Sequence, residues 1–548
     1  MLHEAAIKAA TSVAKDGKTA KDALAALMRP LYVDRLPPCN QACPAGENIQ
    51  EWLQLAQAGR NEEAWRALVK NNPMPAIHGR VCYHPCESAC NRKHLDQPVS
   101  VHAVERYLGD LAISEGWRFE AGQKTGRKVL VIGSGPCGLS AAYHLARMGH
   151  IVTVQEAGTK PGGMMRYGIP AYRLPRNILD AEIARIEEMG VEFQMGVKVD
   201  DLEPYLQANA FDTVFLAIGA QLGKRVEIPA ADAGRIVDAL QFLTEPEKSA
   251  GLCLGRRVAV YGGGNTAMDA ARTALRLGAE GALIIYRRDQ ARMPAHKSEL
   301  EDAELEGVVV NWLRTVKAVG EHGIEVEVMK LDAKGNPQPT GKTEVLRADT
   351  LVLALGQETQ SDFLKSIPGI VVGKDGAIEV DQHMMTGHAG LFAGGDMIPF
   401  NKTVTTAVGH GKKAARNIDA YLQRRTYTPL PKHPLARFDV LRTDWYPKGP
   451  RAPQPVIEVE RRLESFQETI GGLSQVEALY EARRCFSCGN CFECNTCLNV
   501  CPQQTIDKLG EGKRYEIKME NCSRCALCVQ ECPCGAMTMA PDAAAAAS

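Results

Sequence analysis

Lys128-Val129-Leu130-Val131-Ile132-Gly133-Ser134-Gly135-Pro136-Cys137-Gly138-Leu139-Ser140-Ala141 decides the fold of this chain. A short strand runs into a glycine turn and then a helix, the order in which a parallel sheet delivers a helix N-terminus to a phosphate. Gly133 permits the tight turn, Gly135 lets backbone approach a pyrophosphate, and Gly138 allows the helix to pack closely on the strand. The next strand, Ile151-Val152-Thr153-Val154-Gln155, ends at Glu156, placed to hydrogen-bond a ribose hydroxyl. Together these predict a dinucleotide-binding α/β unit. A glycine turn without a ligand is the alternative.

A second copy follows. Arg257-Val258-Ala259-Val260-Tyr261 feeds Gly262-Gly263-Gly264-Asn265-Thr266-Ala267, and the strand after it ends not in an acid but in Arg287-Arg288. Guanidinium forks suit a ribose 2′-phosphate, so the pattern leans to NADP(H) over NAD(H); ordinary surface charge is the competing reading. Two more strands with glycine ends, at Thr213–Ala220 and Thr350–Gly356, would each close one unit. Gly390-Leu391-Phe392-Ala393-Gly394-Gly395-Asp396 then resumes the first, followed by Thr405-Thr406-Ala407.

Further on, Cys491-x2-Cys494-x2-Cys497-x3-Cys501-Pro502 and Cys522-x2-Cys525-x2-Cys528-x3-Cys532-Pro533 carry the spacing of a bacterial two-cluster ferredoxin. In such runs three thiolates come from one motif and the fourth from the other. One [4Fe-4S] site would use Cys491, Cys494, Cys497 and Cys532, and the other Cys522, Cys525, Cys528 and Cys501. Structural zinc is the alternative for such CxxC pairs.

The 18 cysteines sit at metal-ligand spacings rather than as a disulfide framework, which suits a reducing, cytoplasmic setting. With 64 basic and 65 acidic residues, the chain has no field to draw nucleic acid or an anionic membrane. No stretch approaches the roughly 20 apolar residues of a membrane span. Residues 1–30 read as an amphipathic helix, and the terminal alanines and serine carry no function. Cys137 and Cys253 read as packing residues.

GSGPCGL, PGGMMRYGIP, GGGNTAMD, YRRD and AGGD, set in two nested units, resemble the glutamate synthase small-subunit family over most of residues 30–425. The resemblance implies FAD in the first domain and NAD(P)H in the second, inserted one. It assigns Gly133, Gly135, Pro136, Gly138, Glu156, Gly395, Asp396, Thr405 and Ala407 to FAD, with Gly163, Met165 and Arg166 beside the isoalloxazine. Gly262, Gly264, Asn265, Thr266, Arg287 and Arg288 go to the nicotinamide nucleotide. The cofactors carry the hydride chemistry, so no protein acid, base or nucleophile is named.

The N-terminal region adds Cys39-x3-Cys43-Pro44 and Cys82-x3-Cys86-x3-Cys90. Members of the resembled family carry two cubanes here, one completed by a non-cysteine ligand on the segment matching Val104-Glu105-Arg106. That implies Cys43, Cys82, Cys86 and Glu105 as one set, with a surface helix acid as the alternative for Glu105. The other family site normally uses a CxxC just upstream of Cys39, which is missing. Val476–Cys488, ending Cys485-Phe486-Ser487-Cys488, resembles that element displaced to the far end of the chain. Folding back, Cys485 and Cys488 would join Cys39 and Cys90; unligated thiols or a redox pair are the alternative.

The expected architecture is α/β: a helical iron–sulfur domain (1–120), a discontinuous FAD domain (126–245 and 385–425), an inserted NAD(P) domain (246–384), an extended linker (426–475) and a CxxC element with an α+β ferredoxin domain (476–540). Four clusters are expected. The resemblance implies an electron-transfer flavoprotein whose partners are catalytic subunits of a larger anaerobic oxidoreductase, such as a 2-oxoacid oxidoreductase, or a soluble ferredoxin. A glutamate synthase small subunit, a free NAD(P)H:ferredoxin oxidoreductase and an electron-carrying module with vestigial nucleotide sites are the alternatives.

Overall fold

The computed structural model describes residues 28–207, 210–224, 226–230, 235–244, 255–321 and 323–542. The N-terminal helix reading falls outside them except at its end, where Met28 begins a strand, Met28–Tyr32, rather than closing a helix. Cys253 and the final six residues also lie outside.

Val129, Leu130 and Val131 are fully buried because the sheet they cross has both faces covered. That sheet has five parallel strands in the order Leu391–Ala393, Thr213–Leu216, Lys128–Ile132, Ile151–Glu156 and Glu192–Met195. Helices Pro136–Arg147 and Val404–Leu422 pack together over it. The second sheet is also five-stranded and parallel, ordered Val309–Trp312, Gly281–Tyr286, Arg257–Tyr261, Thr350–Leu353 and Arg235–Asp238. The four glycine-ended strands occupy the places the sequence assigns them.

The chain enters and leaves the inserted domain through an antiparallel ribbon of Leu222–Gly223 and Gln357–Glu358. This shifts the expected boundaries. Arg235–Asp238, assigned to the FAD domain, pairs with Thr350–Leu353 in the nucleotide sheet. Leu364, Ile367, Ile378 and Met384, assigned to the insertion, are buried in the FAD-domain core. The crossing strands are only two residues long, too short to leave a hydrophobic period in the sequence.

Helix Gln475–Arg483, opened by a capping box between Ser474 and Glu477, packs against Ile49–Gln57 and Val101–Ser114 of the N-terminal helical domain. The tail therefore does fold back. Beyond it, the ferredoxin domain contains a ribbon of Ile506–Lys508 and Tyr515–Ile517. Its last strand, Met537–Pro541, pairs antiparallel with Met28–Tyr32. The linker is a strap rather than a loose tether: Ala436 N–H bonds Leu36 O at 2.9 Å, Arg451 pairs with Glu87 at 2.5 Å, and Thr469 N–H bonds Tyr172 O at 3.0 Å. Among the described residues, no helix is long and apolar enough to cross a membrane.

One ionic cluster fixes the inserted domain against the FAD domain. Glu306, with its side chain wholly buried, accepts from Arg272 Nη2 at 2.8 Å and Arg276 Nη1 at 2.6 Å, and the Arg276 guanidinium lies 3.8 Å over the Tyr172 ring. Burial opposes the Glu306 charge, but the Arg276 and Arg272 bonds overcome it and hold the carboxyl at about 2. The depressed value makes this stabilisation complete above the ordinary carboxylate pKa of 4.5 and lost as pH falls toward 2. Glu306→Gln keeps the shape and strands two buried guanidiniums; denaturant unfolding at neutral pH should show a loss of about 3–5 kcal/mol.

Candidate functional site

The two glycine loops face one cavity of about 800 Å³. Gly133, Gly135, Pro136, Glu156, Gly163, Gly395, Asp396 and Ala407 line it from the first unit, and Gly262, Gly264, Asn265, Thr266, Arg287 and Arg288 from the second. The first loop divides its labour as the sequence implies. A Cβ on Gly138 would sit 1.9 Å from Gly133 O, so that glycine serves helix-on-strand packing, while a Cβ on Gly135 would meet nothing within 4 Å. Open space above backbone at a helix N-terminus fits a pyrophosphate.

Glu156 is aimed by its backbone neighbours: Oε2 accepts from Ser134 N at 2.8 Å and Ser134 Oγ at 2.6 Å, and Oε1 from Gly158 N at 2.8 Å. Burial pushes the Asp396 carboxyl up to about 6, with Lys402 pulling it down. Arg287 and Arg288 have no carboxylate partner in an ion pair among the described residues, and Arg288 Nε is buried without a hydrogen-bond partner. Two guanidiniums without a carboxylate partner, one of them hydrogen-bonded to Tyr286, at the rim of a nucleotide cavity fit the second anionic group that distinguishes NADP(H).

Three assignments change. Met165 is wholly buried in the FAD-domain core, and Arg166 turns to Pro161 O and the Asp180 carboxylate; Met164, next along the short helix, lines the cavity instead. Thr405 is buried and its hydroxyl faces the Cys82 thiol rather than the cavity. For Met165 and Arg166 a single four-residue helical turn, Met164–Tyr167, decides which side chain faces inward. The sequence also missed Tyr83 and Arg173. Tyr83 lines the cavity beside Cys82 and stacks on His296 of the inserted domain at 4.7 Å; Arg173 reaches from the FAD domain to Asp269 at 2.8 Å. Adjacency to Cys82 was the only available signal for Tyr83.

The thiols stand near one another at the two ends of the chain. The Cys39 thiol is pushed up by burial and then by Cys485, Cys90 and Cys488 around it, and Cys86 by burial, Glu87, Cys82 and Cys43. Cys491 has Cys497 and Cys532 as neighbours, and Cys528 has Cys497, then Cys522, Cys525 and Cys501 beside it, so each motif's fourth cysteine stands by the other motif. Cys494 belongs with Cys497 and Cys532. All 17 described cysteines are free of disulfides. Among the described residues no three thiols lie within 4.8 Å of one another. A single zinc ion with bonds of about 2.3 Å needs its sulfurs closer than that, so the spread fits a polynuclear cluster.

Glu105 is not a surface acid. It is 5 % exposed, accepts from Asn72 Nδ2 at 2.7 Å, and stands near both Cys43 and Cys82. Burial and then the adjacent Glu47 push its carboxyl well up, so the site presents two carboxyls, Glu105 and Glu47, where the sequence names one.

Residues 127–411 match the pyridine nucleotide-disulphide oxidoreductase family. The chain belongs to that family. Residues 8–117 match the dihydropyrimidine dehydrogenase domain II 4Fe-4S family, and 490–536 the 4Fe-4S dicluster domain. The NADP(+)-dependent formate dehydrogenase subunit beta of Moorella thermoacetica is 36 % identical over 82 % of this chain and 70 % of that protein. The NADPH-Fe(3+) oxidoreductase subunit beta of Geobacter sulfurreducens is 31 % identical over 83 % and 76 %. The glutamate synthase [NADPH] small chain of Halomonas elongata is 34 % identical over 73 % and 91 %. This oxidoreductase is thus an NAD(P)H-dependent FAD and iron–sulfur protein of the resembled kind. Replacing Cys485 and Cys488 with serine should lower iron and sulfide by about one cubane, or about four iron, with the ferredoxin signals retained; unchanged iron content in a folded variant would remove both from the ligand set.

Proposed function

We propose that this chain is the NADP(H)-reactive electron-transfer subunit of a larger oxidoreductase, carrying electrons between the nucleotide cavity and a partner that docks at the ferredoxin end. The cavity lined by Gly133, Gly135 and Glu156 would hold FAD, which when bound would supply hydride exchange with a nicotinamide and one-electron exchange with iron–sulfur clusters. The protein's part is to hold the stations in sequence. The observation that carries the reading is at Cys82: its neighbours Val81 and Tyr83 line the cavity, and its thiol meets Thr405 of the FAD domain.

From there the ligand sets are joined by short stretches of chain. Cys43 and Cys86 belong to the set nearest the cavity, and Cys39 and Cys90, each four residues away, to the next. Cys488 and Cys491 link that second set to the ferredoxin, whose own two sites interleave through Cys501 and Cys532. The proposed order is cavity, Cys43/Cys82/Cys86/Glu105, Cys39/Cys90/Cys485/Cys488, Cys491/Cys494/Cys497/Cys532, then Cys501/Cys522/Cys525/Cys528. Cys525 in the last set is exposed, as a point of exchange with another protein requires.

The subunit role draws on two relatives, each a beta subunit by name. A catalytic partner such as a 2-oxoacid oxidoreductase belongs to the same proposal, and anaerobic native purification with identification of co-eluting chains tests it. Large catalytic chains should co-elute; a lone chain with full flavin and iron would make it a free NAD(P)H:ferredoxin oxidoreductase instead. Arg287→Ala with Arg288→Ala should raise KM for NADPH about tenfold or more while leaving NADH almost unchanged, since each removed charge-assisted bond contributes roughly 1.5–3 kcal/mol. Equal losses with both nucleotides would contradict the 2′-phosphate role.

A further inference from the structure

We propose that Tyr32 and Cys534 are positioning residues that set the potential of the first ferredoxin site by donating hydrogen bonds to two of its sulfurs. The proposal rests on the assignment of Cys491, Cys494, Cys497 and Cys532 as one ligand set. Tyr32 Oη lies 3.6 Å from Cys497 Sγ, and Cys534 Sγ lies 3.7 Å from Cys532 Sγ. A ligating thiolate carries no proton, so in both contacts it can only accept, and the phenol and the free thiol must donate.

Neither donor arrives there by local spacing. Tyr32 is 465 residues from Cys497 and is delivered by the strand pairing that places it opposite Met537. The N-terminal segment therefore completes the ferredoxin domain both as a strand and as a sulfur donor. Cys534 is 2 % exposed, and its position is fixed through its carbonyl, which accepts from Gly489 N at 2.6 Å. Gly489 directly follows Cys488. Two hydrogen bonds thus run from a ligand of the N-terminal domain's second set to a ligand of the ferredoxin: Gly489 N–H to Cys534 O, and Cys534 S–H to Cys532.

The contrast with other sulfurs is informative. Cys82, Cys485 and Cys522 accept from the backbone N–H two residues on, at 3.3–3.4 Å, which side-chain substitution leaves in place. Side-chain partners also reach Cys488 (Asn91 Nδ2, 3.5 Å), Cys501 (Thr505 Oγ1, 3.4 Å) and Cys494 (Thr496 Oγ1, 3.2 Å), whereas Tyr32 and Cys534 serve Cys497 and Cys532, and their contribution can be removed one atom at a time. A donor to a cluster sulfur favours the reduced state, which carries one more negative charge, and raises the potential. The pair thus makes the first ferredoxin site a better acceptor for electrons arriving through Cys488 than it would be without these two donors.

The test is potentiometric titration of the reconstituted holoprotein, followed by electron paramagnetic resonance, with iron content measured in every sample. Tyr32→Phe and Cys534→Ala should each lower the midpoint of one cluster signal and leave the others in place at full iron. Cys534→Ser, which restores a donor, should bring that midpoint back toward wild type. Full iron with unmoved midpoints in Tyr32→Phe and Cys534→Ala would overturn the proposal while leaving the ligand assignment intact. Loss of a whole cluster on Cys534→Ala would also overturn it, by making Cys534 a ligand; a missing ferredoxin signal in wild type would instead remove the assignment beneath it.

Discussion

The architecture depends on a buried ionic knot that ties the end of the chain to its beginning. Glu481, wholly buried on the tail helix, bonds Arg484 at 3.0 Å and accepts from the backbone N–H groups of Ser100 and Ala452. Arg484 also pairs with Asp96 at 3.1 Å, and Asp96 with Arg92 at 2.6 Å. Arg92 in turn donates to Arg484 O and covers the Phe486 ring. These charges are affordable in the interior only because each is met by several partners, so the knot has one geometry. Cys485 follows Arg484 directly and Cys488 comes three residues later, and the knot is what holds them beside Cys39 and Cys90.

From that constraint follows a chain whose two ends build each other's sites. The tail provides a helix and two thiols to the N-terminal domain, and the N-terminal strand provides the edge pairing and Tyr32 to the ferredoxin. The strap between them crosses three domains, with Arg462 reaching Asp302 of the inserted domain at 3.5 Å. A ferredoxin held at both ends has a fixed distance to its electron source, unlike one on a flexible tether. Electron exchange between fixed stations then needs no domain search, and the exposed thiols among the described residues, Cys494 and Cys525, both lie in the ferredoxin.

Glycine spacing and cysteine spacing made most of this legible, because both record backbone geometry that few other residues satisfy. Gly138 packs its helix on the strand and Gly135 leaves open space above its backbone, as their positions imply, and the cysteine motifs come together at the N-terminal and ferredoxin ends. Even the displaced CxxC could be read, since its helix retains the pattern of the missing element. Side chains on short helical turns were less legible: Met164 rather than Met165 faces the cavity, because a four-residue turn has no period to fix its face. Long-range partners such as Glu47 beside Glu105, or Tyr32 beside Cys497, leave no mark at either position in the sequence. The domain boundaries slipped for a related reason, as the two-residue ribbon strands carry no pattern.

The central claim is that one chain holds four cluster sites in line with a flavin. Mössbauer spectroscopy of the anaerobic holoprotein before and after NADPH tests it most directly. The account predicts about sixteen irons per chain as four cubanes, all reducible by NADPH only when FAD is present. About eight irons confined to the ferredoxin, or cluster reduction without flavin, would contradict it.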